Sequence, residues 1–354
     1  MRINHNLYLD LAFQLAEKNL GNTGLNPSVG CVVVKNGSVI SSGVTSINGR
    51  PHSEFNALKK LKNCFNASLY TTLEPCTHYG KTPPCVNIII KKKIKNVFYS
   101  FEDPDIRTYQ KAKIFLSVKD INTQLIKSKN YYSFYRSYFF NKKNELPFVT
   151  AKIAISKDYF TINKRNKWIT NKLSRKAVHL LRSQNNCIMS TSKSINRDDS
   201  MLNCRINGVD NSKPDLFIVD LNLKLKKKLR LNNLLKKRKT YLIVNKIHSK
   251  KTFLYKKLGY KIIYINSLKN KSDFNSLYKK IFSMGYSRLL VESGLTFLNT
   301  LLKNKLIQDL YIFKNNMKLG KNGKNNDTFK YLKKTTPKLI TINLNNDKLF
   351  KKEF

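Results

Sequence analysis

Residues 73–85 read LEPCTHYGKTPPC, and upstream, at 51–54, the chain reads PHSE. Two cysteines, Cys76 and Cys85, bracket a loop that holds a histidine, a glycine, a lysine and two prolines. A hydrolytic zinc site needs three protein ligands and one open position for water, and imidazole and thiolate suit that metal. His52, Cys76 and Cys85 supply such a set. Glu54, two residues from a ligand at a helix start, is placed to shuttle protons without occupying the metal. His78 is a rival ligand, ranked behind His52 because His52 already completes three. A disulfide framework is disfavoured in a chain of this size that opens without a secretory signal. Cys31, Cys64 and Cys187 lie in apolar segments and are expected to pack as small hydrophobes.

Around this loop the pattern is α/β. Leu7, Leu11 and Leu15 have helical spacing, and CVVVKNGSVISSG reads as a hairpin about Asn36-Gly37. PHSEFNALKKLKN reads as a helix with Pro51 at its start, SLYTTLEP as a strand, VNIIIKKK as a short helix and KNVFYSF as a strand. NKKNELP at 141–147 reads as a linker. Beyond it, FVTAKIAIS, NCIMSTS, DLFIVDL, TYLIVN, KIIYIN, RLLVES and DLYIFK are short strands. Helices fall between several of them, among them TNKLSRKAVHLLRSQ with Thr170 as candidate N-cap. Two domains are expected, 1–146 and 147–354, the second with a mostly parallel sheet.

The chain of 354 residues carries 67 Lys+Arg against 21 Asp+Glu, formally +46. The basic residues lie in scattered pairs and triplets, so compositional drift is preferred to a nucleic-acid footprint, although such a surface attracts polyanions. The densest run, LKLKKKLRLNNLLKKRK at 223–239, reads as a solvated face. No stretch approaches the roughly 20 apolar residues a membrane helix needs. The expectation is a soluble, cytoplasmic protein with no membrane partner and no specific nucleic-acid partner.

His-x-Glu followed by Pro-Cys and Cys is the order of ligands and proton carrier in zinc nucleoside and nucleobase deaminases. The loop from Cys76 to Cys85 is longer than the generic Cys-x-x-Cys. LNPSVGCVVVKNG, PHSE and TLEPCTHYGKTPPC together resemble the bifunctional riboflavin-biosynthesis deaminase/reductase family, which has this longer loop. The resemblance covers nearly the whole chain. It implies a cytidine-deaminase-like N-terminal domain and a dihydrofolate-reductase-like C-terminal domain. It also implies zinc on His52, Cys76 and Cys85, Glu54 as catalytic proton carrier, and substrate contacts from Asn26, Lys81 (to the ribose phosphate) and Asp103. Three positions depart from the family pattern: Asp105 replaces an asparagine, Thr45 a histidine, and RTYQKA a glycine-rich stretch.

In the second half, Gly294 stands at a strand-to-helix junction. It fits either a phosphate-holding helix N-terminus or a plain turn, and no GxGxxG occurs. AKIAISKD, NKWIT, LLRSQ, SINRDDSMLNCR and LLVESGLTFL follow the family's reductase motifs in order. The resemblance implies an NADPH site lined by Ala154, Trp168, Ser194, Asp198 and Gly294. It implies contacts to the phosphoribosyl substrate from Asn166, Arg182, Leu202, Arg205 and Glu292; guanidinium forks suit phosphate. Lys152 has a structural or electrostatic role that the sequence does not assign. Lys157-Asp158-Tyr159-Phe160 replaces Leu-Asp-Gly-Arg, and Ser200 replaces a proline. Tyr159 is expected to crowd the site if the backbone passes close to ligand.

The function so implied has two steps. A diaminopyrimidinone ribosyl phosphate loses ammonia by hydrolysis, and NADPH then reduces its opened ribose to the ribityl chain. The protein is expected to be a homo-oligomer. Two alternatives stand beside this: a nucleic-acid deaminase, and a deaminase fused to an inactive scaffold domain.

Overall fold

Asn36 and Gly37 both take left-handed φ values, 50° and 76°, the backbone a two-residue primed turn requires. They join β1 (Gly30–Lys35) to β2 (Ser38–Val44) as an antiparallel hairpin. In the computed structural model, which describes residues 4–128, 131–208, 213–325, 332 and 337–354, the chain divides into two units, Met1–Glu145 and Leu146–Phe354.

In the first unit β1 also pairs with β3 (Ser68–Thr71), and β4 (Asn96–Tyr99) and β5 (Asn122–Leu125) continue the sheet in parallel, in the order β2-β1-β3-β4-β5. Successive β1 side chains serve opposite faces. Cys31 and Val33 join Leu58, Leu69, Val86 and Ile89 on one side, while Val32 and Val34 join Leu9, Ala12 and Tyr70 on the other. With both faces covered, the strand reads as an unbroken apolar run. The helices are α1 (His5–Glu17), α2 (Ser53–Leu58), α3 (Cys85–Lys91), α4 (Ala112–Ser117) and α5 (Tyr132–Asn144).

Gly43 sets the position of α2. A Cβ there would lie 2.3 Å from the Ser53 carbonyl oxygen and 2.5 Å from the Ala57 nitrogen. Without it, the helix start that carries His52 and Glu54 rests directly on β2. That helix is shorter than PHSEFNALKKLKN suggests; Pro51 precedes it, and His52 takes the N-cap position with extended backbone. The expected linker is also mostly helical. α5 runs through NKKN, and Glu145 ends it with a left-handed φ of 53°. Its Tyr135 and Tyr138 pack with Phe13 and Leu73, so aromatic burial outweighs the polar end of the segment.

The second unit is built on a nine-stranded sheet. Its strands are β6 (Phe148–Ile155), β8 (Cys187–Thr191), β9 (Asp215–Val219), β10 (Thr240–Asn245), β11 (Lys261–Ile265), β12 (Arg288–Glu292), β13 (Asp309–Asn315), β15 (Lys338–Leu344) and β16 (Asp347–Glu353). Their order is β11-β10-β9-β8-β12-β6-β13-β16-β15, parallel as far as β13 and antiparallel across the last two pairings. A separate small ladder joins β7 (Ile162–Asn163) to β14 (Gly323–Lys324). The helices are α6 (Lys172–Ser183), α7 (Ser192–Asp198), α8 (Phe253–Leu258), α9 (Lys271–Ser283) and α10 (Leu295–Lys303). Asn171, not Thr170, caps α6: its side chain accepts from the Ser174 N–H at 3.0 Å. Asn171 is itself fixed, because its N–H donates to Asp347 and its amide to the Leu344 carbonyl.

The 223–239 run is not wholly a solvated face. Leu225 and Leu231 enter an apolar cluster with Ile218 and Leu242, and Arg238 is only 4% exposed. Its guanidinium donates to the carbonyls of Leu202 (2.8 Å), Pro214 (3.1 Å) and Met201. Leu202 holds a left-handed φ of 49°, so Arg238 braces the segment that also bears Arg205. Arg238→Met keeps the volume and strands those carbonyls without donors. It should cost about 3 kcal/mol or more of stability, read as a lowered denaturation midpoint.

Tyr159 keeps a glycine-like backbone, φ 74°, which costs a bulky L-residue about 1–2 kcal/mol. Its ring packs on the main apolar cluster, with the Lys314 ammonium 4.1 Å from the ring centroid. Beside it, the Phe160 ring lies so close to Gly323 that a Cβ there would come within 2.2 Å. The lost glycine and arginine are thus replaced by new packing between 159–160 and the segments at 314 and 323.

Candidate active sites

The start of α2 and the loop that ends at the first residue of α3 converge in the first unit. His52 Nδ1 lies 3.5 Å from the Cys76 sulfur and 3.4 Å from the Cys85 sulfur, and the three donor atoms lie within 4.8 Å of one another. A tetrahedral zinc held at ordinary bond lengths separates nitrogen from sulfur by about 3.6 Å. The donor set fits that ion. The Cys85 N–H donates to the Cys76 sulfur at 3.2 Å, an outer contact of the kind that orients metal ligands. Hydrogen bonding from the Cys85 side chain, then from His52, holds the Cys76 thiol below its ordinary pKa. Cys85 is raised by its bond to Cys76, by burial and by Glu54. Burial alone would lower His52, but the bond to Cys76 and the Glu54 charge raise it overall.

Glu54 is 4% exposed. Its Oε2 accepts from Ser53 Oγ at 2.9 Å and lies 3.5 Å from the Cys85 sulfur. Burial, then the Cys76 charge, push its carboxyl above the usual range. His78 does not belong to the ligand group; its Nδ1 is bonded to Thr108 Oγ1 at 3.0 Å.

Asn26 and Lys81 are not hydrogen-bonded to His52, Cys76 or Cys85. The Asn26 amide donates to the Gly49 carbonyl at 2.9 Å, and Lys81 is exposed on the loop. Thr45, in the place of a histidine, is buried and accepts from the Val29 N–H at 3.0 Å. Asp103 accepts from Tyr138 Oη and from the Asp105 N–H, and burial pushes its carboxyl up to about 6. Asp105 is matched from two elements: Arg107 of its own loop binds both its oxygens, at 2.8 and 2.6 Å, and Lys142 of α5 adds a contact at 2.7 Å. Those cations, Arg107 first, hold it well below the carboxylate range. Arg50, which no motif in the sequence marks, is a further neighbour of His52. Arg50 Nη1 donates to Thr82 Oγ1 at 2.7 Å and lies 3.3 Å from His52 Nε2. A cation therefore backs the histidine, where a carboxylate or carbonyl is usual.

In the second unit, paired positions on β12 and β6 set Glu292 beside Lys152, and α6 brings Arg182 to the same place. Arg182 grips Glu292 with Nε at 2.6 Å and Nη2 at 2.9 Å, and Lys152 Nζ is 3.9 Å from the carboxylate. Arg182 also donates to the Asn203 carbonyl (2.9 Å), and Arg205 to the Asn203 side chain (2.7 Å). His179, one turn before Arg182, accepts the Arg205 N–H on Nδ1 at 3.2 Å, so its ring proton sits on Nε2. Burial, then Arg182 and Arg205, push His179 down to about 4, and it is neutral at pH 7. Two guanidiniums and an ammonium against one carboxylate leave excess positive charge, which suits a phosphate. The pattern AVHLLR showed the spacing that puts His179 and Arg182 on one face; Asn203 gave no such signal.

Ser194 and Gly294 meet: the Gly294 N–H donates to Ser194 Oγ at 3.0 Å. Both lie just past the carboxyl ends of adjacent parallel strands, where open α/β sheets bind ligands. Gly294 is the N-cap of α10, and no side chain caps that helix start. Its first-turn amides fit a cofactor phosphate. Ala154 lies on β6. Trp168 stacks with Arg175 at 4.7 Å, and Asp198 pairs with Arg197 at 2.6 Å. Asn166 is exposed in the loop before α6, and Leu202 is buried over Arg238. The hydrogen bonds and ion pairs named here do not join Ala154, Trp168, Asp198 or Asn166 to the Arg182–Glu292 cluster.

Residues 2–101 match the cytidine and deoxycytidylate deaminase zinc-binding region, and residues 147–339 match the RibD C-terminal domain. The riboflavin biosynthesis protein RibD of Aquifex aeolicus is 30% identical over 310 residues, 86% of this chain and 85% of that protein. Among solved structures, RibD of Acinetobacter baumannii superposes with a TM-score of 0.83 at 24% identity, covering 98% of both chains. A Thermotoga maritima protein, described as a diaminohydroxyphosphoribosylaminopyrimidine deaminase/5-amino-6-(5-phosphoribosylamino)uracil reductase, gives 0.81 at 25% identity, covering 98% of this chain and 97% of its own. The likeness extends across both units.

Proposed function

The chain belongs to the RibD family of bifunctional riboflavin-biosynthesis enzymes, a deaminase and a reductase in one polypeptide, and we propose that His52, Cys76, Cys85 and Glu54 deaminate a diaminopyrimidinone ribosyl phosphate whose product Arg182, Arg205 and Glu292 hold for reduction. The carrying observation is the closure of three donor atoms within 4.8 Å beside a buried carboxylate.

Zinc on these donors supplies Lewis acidity toward a water nucleophile. Glu54 takes a proton from the attacking water and delivers it to the ring nitrogen as the water oxygen bonds the amino-bearing carbon. It then passes the remaining hydroxyl proton to the amino group, the C–N bond breaks, ammonia leaves and a carbonyl remains. Ser53 Oγ holds the carboxylate in one orientation for both transfers. Asn26 and Asp103 contact the substrate, and Lys81 its ribose phosphate; Asp103 gains charge as pH rises through about 6.

NADPH supplies the hydride that converts the opened ribose to the ribityl chain. The α10 N-terminus at Gly294, with Ser194, Ala154, Trp168 and Asp198, lines the cofactor site. Arg182 and Arg205 bind the substrate phosphate. Neutral His179 fixes the Arg205 main chain, and Lys152 with Glu292 sets the charge beside the reacting sugar. Asn166 and Leu202 complete the substrate contacts. Self-association is part of the same reading: β15 ends the sheet as an edge strand with Leu339 and Ile342 exposed, and an apolar edge favours pairing with another chain. No described helix is long and apolar enough to cross a membrane.

Zinc-loaded protein incubated with the diaminopyrimidine substrate should release ammonia and then oxidise NADPH in a substrate-dependent way. Absence of ammonia would refute the deaminase assignment. Unchanged NADPH absorbance in the presence of deaminated product would refute the reductase assignment.

A further inference from the structure

Glu74 precedes Pro75-Cys76 and lies outside the ligand set, yet it is 3% exposed and points away into the neighbouring loop. Its Oε2 accepts the N–H groups of Asp103 (3.2 Å) and Gln110 (3.1 Å), and its Oε1 accepts that of Ala112 (3.0 Å), the first residue of α4. Its own N–H donates to the Phe101 carbonyl at 2.8 Å. One carboxylate thus gathers amides from three points of the 101–112 segment. Two more bonds follow on the far side of Cys76: Thr77 Oγ1 donates to the Arg107 carbonyl at 3.0 Å, and His78 Nδ1 meets Thr108 Oγ1 at 3.0 Å. The turn that carries the metal ligand Cys76 is stitched to this segment at 74, 77 and 78.

We infer that Glu74 is a positioning residue that holds the 101–112 segment, and with it Asp103, in register with the metal-bearing turn and so sets substrate affinity without touching substrate. This rests on the reading of Asp103 as a substrate contact. A buried carboxylate satisfied by main-chain N–H groups is costly to replace, since any other group leaves donors facing nothing. The arrangement also accounts for a loop without the glycine-rich stretch of the family. RTYQKA is held by its amides at Gln110 and Ala112, and by its carbonyl at Arg107, all from the 74–77 side.

Glu74→Gln tests the inference with three readouts on the full-length zinc-loaded protein. Zinc per chain should stay at the wild-type value. Hydrogen exchange at the amides of Asp103, Gln110 and Ala112 should quicken by about tenfold or more as their acceptor is weakened. The deaminase KM should rise about tenfold while kcat changes less than about threefold, the pattern of lost binding rather than lost chemistry. A purely structural role would instead lower melting temperature and zinc content and leave KM of the folded fraction unchanged; wild-type KM at full zinc overturns the inference. Should the variant fail to fold, Thr77→Val removes one stitch at constant volume. It should raise KM by about threefold with kcat intact, and an unchanged KM there counts against the inference equally. The exchange measurement does not need turnover, so a failure of the deaminase reading itself, no ammonia from wild-type protein, is distinguishable from a failure of Glu74 as the clamp.

Discussion

Glu54→Gln is expected to lower deaminase kcat by about a thousandfold, within the range that a positioned proton carrier contributes. The substitution is isosteric, and an amide oxygen can still accept from Ser53 Oγ, so zinc content and fold should persist. What is lost is the capacity to take a proton from water and return it to the pyrimidine. Reductase turnover, which belongs to the other unit, should be unchanged and serves as the internal control. Ammonia release measured beside metal content checks the result; a variant that retains activity within about tenfold of wild type would remove Glu54 from the mechanism.

Glu292→Gln is expected to destabilise the second unit by about 3 kcal/mol or more and to abolish most reductase turnover. Arg182 and Lys152 both face this carboxylate, with side chains only 11% and 19% exposed. Neutralising the anion leaves two partly buried cations against each other, and breaking such a pair from one side typically costs several kcal/mol. Burial pushes Glu292 up, but Arg182 and then Lys152 outweigh it and hold the carboxyl below its ordinary value. A depressed carboxyl stabilises the fold above its unfolded pKa, and that contribution is lost as pH falls through the folded one. The wild-type denaturation midpoint should therefore drop on acidification below the ordinary carboxylate range, and the Glu292→Gln midpoint should lose this part of the slope. Zinc content and ammonia release should not change.

The two sites differed in how far the sequence exposed them. His52, Glu54, Cys76 and Cys85 lie in two short motifs, and the types and order of these residues point to one chemistry before any fold is known. The Arg182–Glu292 pair spans distant elements and consists of common residue types in a strongly basic chain. Resemblance rather than residue chemistry singled it out. Lys152 stayed unassigned until strand pairing set it beside Glu292. Element boundaries slipped where a side chain found a remote partner: Asn171 rather than Thr170 caps α6 because Asp347 and Leu344 hold it in place. α5 was hidden because its aromatic face, Tyr135 and Tyr138, is interleaved with polar residues and ends in NKKN.

By itself the sequence determined the α/β class and the hairpin at Asn36-Gly37, and it singled out His52, Cys76 and Cys85 as a candidate ligand set with Glu54 as the proposed proton carrier, since each depends on local spacing and on the intrinsic chemistry of a few side chains. Only the tertiary structure decided that Arg238 of a lysine-rich run is buried against carbonyls, that Arg50 lies behind His52, that Asp105 is paired with Arg107 and Lys142, and that Glu74 ties two loops together. The reason is common to all four. The worth of a buried charge depends on which donors and acceptors surround it once the chain has folded, and those partners are main-chain groups or distant side chains that no short motif records.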